Sequence, residues 1–264
     1  MGQKVVDIIK QIKENKVNME FLPTGFIGLD DHLNGGFMRK ELVVIGAYTG
    51  VGKSFFAGEI MANIARAGFL SAYFSLEISN AMIVSRLIGS HANIAPTRVM
   101  AGFLNAQEHE DRIRAEAKVE GLNDMMEFHD DLYGFEEIKK AIIDGGYEFV
   151  VVDFIQNVMA VERDEYARLS RIALEFQKLA KQTNACILLL SQLSNEAARR
   201  DSMEYKGSGS IATVCDLGFF IKRSEVSIGL DNQAILILRK NRRGTYGEFT
   251  FNFKQPGGLI TEVL

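Results

Sequence analysis

The sequence predicts an α/β fold, a mostly parallel central sheet flanked by helices, with an antiparallel hairpin at its C-terminal end. Short apolar runs alternate with helical stripes through the middle of the chain, the pattern of parallel strands covered on both faces. Near the end the pattern changes: Ile235-Leu236-Ile237-Leu238 and Phe249-Thr250-Phe251-Asn252-Phe253 are joined by a basic turn from Arg239 to Gly247. The second of these runs alternates strictly, as a half-exposed antiparallel strand does. Size agrees with one such unit. A chain of 264 residues with 47% hydrophobic content buries one full core, and sheets of this class fill roughly 200–250 residues alone.

The first element is a short helix. Val5, Ile8, Ile9 and Ile12 fall at i, i+3, i+4 and i+7, with Asp7, Lys10, Gln11, Lys13 and Glu14 on the other face, over Val5 to Lys16. Alone it is marginal, so it either folds back on its own domain or docks on a neighbouring subunit. The polar stretch ending in Pro23-Thr24-Gly25 separates it from the core. The expected division is 1–18 as a linker or docking helix and 19–264 as the main domain.

The core follows in order. Leu42 to Ile45 is a buried strand, and Ser54 to Ala67 a helix with Phe56, Ile60, Met61 and Ile64 inward, stopped by Gly68. Ala72 to Phe74 is the next strand and Ala81 to Ile88 the next helix. Phe149 to Val152 is a strand preceded by Gly145-Gly146. Leu169, Ile172, Ala173, Phe176, Leu179 and Ala180 stripe a long helix. Ile187 to Leu190 and Leu217 to Ile221 complete the parallel set.

Composition excludes several classes of function. With 30 basic against 34 acidic side chains and a net charge of −4, the chain is not one that coats duplex nucleic acid through a broad basic face. Local phosphate contacts remain open to it. Cys186 and Cys215 lack metal-ligand spacing and sit in apolar surroundings, as core residues of a reduced compartment do. His32, His91, His109 and His129 are scattered and read as surface or internally satisfied histidines. No signal peptide opens the chain, and no apolar run reaches the roughly 18 residues of a membrane span. The expectation is a cytoplasmic protein that does not enter membranes.

The chemistry begins at Gly46-Ala47-Tyr48-Thr49-Gly50-Val51-Gly52-Lys53-Ser54, which fits G-x-x-x-x-G-K-S/T. It lies directly after a buried strand and directly before a helix, as the mechanism requires. Glycines let the backbone curl so that N–H groups of Gly46, Thr49, Gly50, Val51 and Gly52 point at phosphate oxygens, and the helix start adds its positive dipole end. Lys53 then bridges the β- and γ-phosphates of ATP or another nucleoside triphosphate, and the Ser54 hydroxyl ligates Mg²⁺.

Three strand ends support this loop. Asp153 closes an apolar strand, where a carboxylate either caps a turn or holds the Mg²⁺ shell; beside the loop the metal role is the reading. Glu77 follows Phe74-Ser75-Leu76, and ligands bind beyond the carboxyl ends of parallel strands. A free carboxylate there orients and deprotonates an attacking water. Gln192 ends a third strand at the same edge, either as a polar loop residue or as a neutral sensor of the γ-phosphate.

Taken in order, these stretches resemble the motor domain of the DnaB family of ring-forming replicative helicases. Pro23-Thr24-Gly25-Phe26 with Leu29-Asp30 resembles the entry to its ATPase domain, and Gly46 to Ser54 its nucleotide loop. Phe74-Ser75-Leu76-Glu77 is similar to the strand carrying the catalytic glutamate, Val151 to Gln156 to the metal-binding strand, and Leu190-Ser191-Gln192-Leu193 to the sensor strand. Gly207-Ser208-Gly209-Ser210-Ile211 resembles part of the DNA-contacting loop, and Lys240-Asn241-Arg242-Arg243-Gly244 the tract of the lysine and arginine fingers. The likeness runs from about Met19 to the C-terminus.

The resemblance implies a RecA-like P-loop NTPase core, ATP and Mg²⁺ as cofactors, single-stranded DNA as partner and a homo-hexameric ring. It implies a primase or helicase loader as further partners and a nucleoid-associated place in a bacterial or phage-infected cell. Lys240 and Arg242 would project into the next subunit's ATP site; from the residues alone the same basic cluster also reads as a solvated hairpin tip. Arg243 is adjacent, and on a strand or turn its side chain points elsewhere. DNA would meet Lys206 and Gly209; Arg199 and Arg200, in the preceding loop, either add backbone contacts or are solvated at the surface. Where the family carries an Arg-Glu pair before Ser-Gly-Ser, this chain has Lys206 and Gly207, and a lysine meets phosphate as a point charge and not as a fork. The family's N-terminal collar domain has no counterpart, so the sequence is either a domain of a longer protein or a minimal version. Two other readings share parts of this pattern: a RecA/RadA-type recombinase that forms filaments, and an ATP-binding assembly or loader module with weak hydrolysis.

Overall fold

In the computed structural model, residues 4–13, 20–161, 164–193, 209–223 and 231–264 are described. The chain opens with α1 (Val5–Lys13), β1 (Phe21–Leu22), α2 (Ile27–His32), β2 (Phe37–Met38), β3 (Leu42–Ala47) and α3 (Lys53–Arg66). It continues through β4 (Ser71–Ser75), α4 (Asn80–Ala92), α5 (Pro96–Ala101), α6 (Ala106–Glu120), β5 (Met126–His129) and α7 (Phe135–Gly145). Then come β6 (Phe149–Asp153), α8 (Glu165–Thr183), β7 (Cys186–Gln192), α9 (Gly209–Val214), β8 (Leu217–Arg223), β9 (Asp231–Asn241), β10 (Gly247–Lys254) and β11 (Leu259–Val263).

Side chains alternate across a strand, and that decides why the central runs are apolar throughout. In β3, Val43, Ile45 and Ala47 enter one core while Leu42 and Val44 enter the other. The same split divides Phe149 and Val151 from Val150 and Val152, and Leu188 and Leu190 from Ile187 and Leu189. The first core is covered by α3 through Phe56, Ile60 and Ile64; the second by α7 and α8 through Ile138, Ile142, Leu169, Ile172 and Phe176. Strands covered on both faces carry no polar stripe.

The nine main strands form one sheet in the order β11-β10-β9-β8-β3-β7-β6-β4-β5. From β8 to β5 all neighbours are parallel; β9, β10 and β11 add antiparallel at the other edge. This is the predicted parallel sheet with its antiparallel hairpin, extended by β11. Because the strands run parallel, β3, β4, β6 and β7 all end at one edge: Ser75 lies opposite Asp153, and Ala47 opposite Gln192.

One expectation changes in detail. The basic turn is shorter than the sequence suggests, since β9 runs on to Asn241 and puts Arg239 and Lys240 on a strand. The first helix is described over Val5–Lys13, and its expected end, residues 14–16, lies outside the described residues. Between 93 and 147 the sequence names no element, yet the chain forms α5, α6, β5 and α7. Their starts are legible once seen: Asn105 and Glu108 form a reciprocal cap at α6, each side chain accepting the other's backbone N–H.

Candidate nucleotide site

The strand β3 delivers the chain into the Gly46–Ser54 loop, and the loop turns into α3 at Lys53. That turn needs glycine at Gly52, where φ is +106° and an added Cβ would stand 2.9 Å from Phe253 Cε1. Gly50 likewise takes φ +80°. The result is a cleft of about 200 Å³ at the C-terminal edge of the sheet. Thr49, Gly50, Gly52, Lys53, Ser54, Glu77, Arg86 and Gln192 line it.

Thus Thr49, Gly50, Gly52, Lys53, Ser54, Glu77 and Gln192, picked from sequence, come together. Gly46 and Val51 do not line the cleft. Gly46 lies inside β3, paired with Ser191 and Phe220, and the Val51 carbonyl accepts from Arg223 Nε at 3.0 Å. Asp153 sits buried at the end of β6, close enough for its carboxylate to act on Lys53.

The electrostatics are those of a site for a polyanion with a cation. Burial pulls the Lys53 ammonium below its ordinary value, and the carboxylates of Asp153 and Glu77 oppose that pull. Lys53 Nζ donates to the Ala47 carbonyl at 3.3 Å. Asp153 Oδ2 accepts from the Tyr73 hydroxyl at 2.7 Å, while Oδ1 is buried with no hydrogen-bond partner among the described residues. An unpartnered carboxylate oxygen is costly in a protein interior, and a hydrated Mg²⁺ would offset that cost. Mg²⁺ binds through one or two protein oxygens plus phosphates and water; Asp153 and Ser54 fit that donor set.

Sequence reasoning misses two residues here. Arg86 enters the cleft from α4 with its guanidinium 4.7 Å from the Phe55 ring centroid. Burial lowers its pKa, and Tyr73, Asp153 and Glu77 oppose that shift. The available signal is an arginine in α4 with no acid at i±3 or i±4. Arg223, at the end of β8, lies with its guanidinium 5.1 Å from the Phe253 ring, against the same loop. Separately, an apolar hollow of about 330 Å³ lined by Phe135, Met159, Val161 and Ile172 brings none of these phosphate-binding groups together.

Lys240 and Arg242 stand at the opposite edge. Leu217, at the start of β8, pairs with both Val43 and Asn241, so the tract is level with the beginning of β3. At about 3.3 Å per residue it is roughly 17 Å below the phosphate loop. Lys240 Nζ donates to the carbonyls of Ala212 and Thr213 at 2.7 and 2.6 Å. Arg242 pairs with Asp216 Oδ1 at 2.8 Å and donates to the Thr213 carbonyl at 3.2 Å. Arg243 turns away, as expected, to Glu41 Oε1 at 2.9 Å. Of the expected DNA-contacting residues, Gly209 opens α9; Lys206, Arg199 and Arg200 lie outside the described residues.

Fold and site together define a P-loop nucleotide-binding protein with a RecA-like core. The family model for the DnaB-like helicase C-terminal domain matches residues 22–258, and the chain belongs to that family. It is 26% identical over 261 residues to the replicative DNA helicase DnaB of Treponema pallidum, covering 95% of this chain and 58% of that protein. It is 27% identical over 265 residues to the replicative DNA helicase DnaC of Bacillus subtilis, with 94% and 58% covered. The chain thus spans somewhat over half the length of these relatives. In fold it resembles a solved structure described as an ATPase domain, with a TM-score of 0.85, 21% identity, and 98% and 97% of the two chains covered. It also resembles a DnaB-like replicative helicase whose structure is described with its primase interactions, with a TM-score of 0.84, 21% identity, and 100% and 68% covered. Among the described residues no helix is long and apolar enough to cross a membrane.

Proposed function

We propose that the chain is the ATP-driven motor of a ring-forming replicative DNA helicase that moves along single-stranded DNA. One observation carries the reading: the phosphate cleft and the Lys240–Arg242 tract lie at opposite edges of one sheet, out of each other's reach. A finger that cannot reach its own nucleotide acts on a neighbour's, and a head-to-tail contact repeated around a closed circle is a ring.

In this reading the loop backbone and Lys53 bind the triphosphate of ATP. Ser54 and Asp153 would hold Mg²⁺, which would supply positive charge against the phosphate oxygens. Glu77, exposed in the cleft, takes a proton from the attacking water. Gln192 accepts or donates a hydrogen bond at the γ-phosphate without adding charge, and Arg86 adds a cation from the chain's own side. Lys240 and Arg242 of the adjacent copy stabilise charge on the transferring phosphoryl group.

Residues 1–18 form the docking segment and 19–264 the motor. In α1, Val5, Val6, Ile8 and Ile9 are exposed on their own chain, and an adjacent copy covers them in the ring. DNA runs past Lys206 and Gly209, with Arg199 and Arg200 beside it. Primase or a loader is the protein partner, and the nucleoid of a bacterial or phage-infected cell the place of work.

The test is negative-stain imaging with ATP and an oligonucleotide, paired with hydrolysis measured with and without that oligonucleotide. Closed sixfold rings with DNA-stimulated hydrolysis support the reading. Helical filaments point instead to a recombinase, and assembly without hydrolysis to a loader.

A further inference from the structure

Tyr73 is an unusual side chain for its place. It lies in the middle of β4, fully buried, where the neighbouring strand positions are apolar. Its ring lies in the first core, 6.3 Å from the Phe128 centroid. A phenylalanine would fill that space without leaving a hydroxyl to satisfy. The hydroxyl is satisfied by a carboxylate: it donates to Asp153 Oδ2 at 2.7 Å.

The direction of that bond follows from charge. An ionised carboxylate only accepts hydrogen bonds, so the phenol donates its proton to Asp153 Oδ2. The carboxylate has one oxygen occupied, and among the described residues Oδ1 has no partner.

We propose that Tyr73 is the positioning residue of the magnesium site: by holding Oδ2 of Asp153 it fixes the carboxylate so that Oδ1 faces the cation. Metal ligands are regularly oriented by such outer partners; here a side chain of β4 orients a ligand on β6. The inference rests on the nucleotide–metal reading of the cleft and adds to it a residue that touches neither phosphate nor metal.

The test is Tyr73→Phe in the full chain, with metal affinity measured directly. Binding of Mn²⁺ to ADP-loaded protein, followed by electron paramagnetic resonance, should weaken on the order of 10–100-fold. Binding of ADP in excess chelator should stay within about 2-fold of wild type, because Lys53 and the loop are intact. Equal Mn²⁺ affinity in the two proteins overturns the proposal, and so does a parallel loss of both binding modes, which marks a purely structural role. A second measurement needs no substitution at position 73. In wild-type protein labelled with ¹³C-tyrosine and loaded with ADP, the Tyr73 Cζ resonance should move when Mg²⁺ is added. An unmoved resonance overturns the assignment. Should wild-type protein bind no nucleotide at all, the reading of the cleft fails instead, and the two failures are told apart by that control.

Discussion

The two edges of the sheet carry functional side chains in opposite conditions. At the C-terminal edge, Lys53, Ser54, Glu77, Arg86 and Gln192 face one shared cleft, and Asp153 Oδ1 has no partner among the described residues. At the N-terminal edge, Lys240 and Arg242 are bound within their own chain, to the last carbonyls of α9 and to Asp216. Cations at a helix C-terminus meet unsatisfied carbonyls and the negative end of the helix dipole. One edge waits for a ligand; the other is held by the molecule itself. A single chain therefore assembles the cleft by itself; in the proposed reading, a second copy would replace the bonds that hold Lys240 and Arg242.

The largest effect is expected at Arg242. Arg242→Ala should lower hydrolysis by ~10³–10⁵, the worth of such a finger in other phosphoryl-transfer systems, while nucleotide binding persists. Mixing Arg242→Ala with Lys53→Ala chains, each inactive alone, should restore part of the rate, since some interfaces pair an intact loop with an intact finger. Co-assembly without recovery at any ratio would break the assignment across the interface. At the other edge, Glu77→Gln should slow hydrolysis by about 10²–10⁴ with ATP affinity unchanged. Turnover at the wild-type rate would remove Glu77 from the chemistry.

Asp216 probes the held edge more finely. Its Oδ2 accepts from the Leu42 N–H at 2.9 Å and its Oδ1 from Arg242 at 2.8 Å. Asp216→Asn keeps an acceptor for Leu42 but loses the charge that aims Arg242. Misplaced groups cost up to about 10²-fold, so hydrolysis should fall by less than in Arg242→Ala, with melting little changed. A rate equal to wild type would show that the neighbour alone aims the finger.

The smallest effect concerns Glu41, which joins β3 to the same tract. Burial raises its carboxyl to about 7, with Arg243 opposing. An acid whose folded pKa is raised keeps its proton longer in the folded state. Its contribution is full below the ordinary value of 4.5 and is lost as pH rises toward about 7. Melting temperature should therefore decline across that window, and Glu41→Gln should flatten the decline. A wild-type curve rising through the window would contradict the sign.

Much of the fold and of the nucleotide cleft was legible without coordinates. The G-x-x-x-x-G-K-S spacing between an apolar run and a helical stripe defines both a loop and its position, because only glycine takes φ +106° at Gly52 against a packed Phe253. Glu77, Asp153 and Gln192 were legible for a related reason. A polar residue closing an apolar run marks a strand end, and parallel strands gather their ends at one edge. The hairpin was legible from its alternation.

The rest came from tertiary packing. Arg86 is one arginine on an amphipathic helix until α4 packs on α3 and turns it into the cleft. Tyr73 reads as an ordinary strand residue; only the pairing of Ser75 with Asp153 in neighbouring strands brings its hydroxyl to the carboxylate. The hold of α9 on Lys240 and Arg242 joins residues 28 and 29 positions apart, and no local pattern encodes it. Local spacing fixes backbone conformation and strand ends, since those depend on a few consecutive residues. Which side chains share a site depends on register between distant strands, and that is set by how both faces of the sheet are buried.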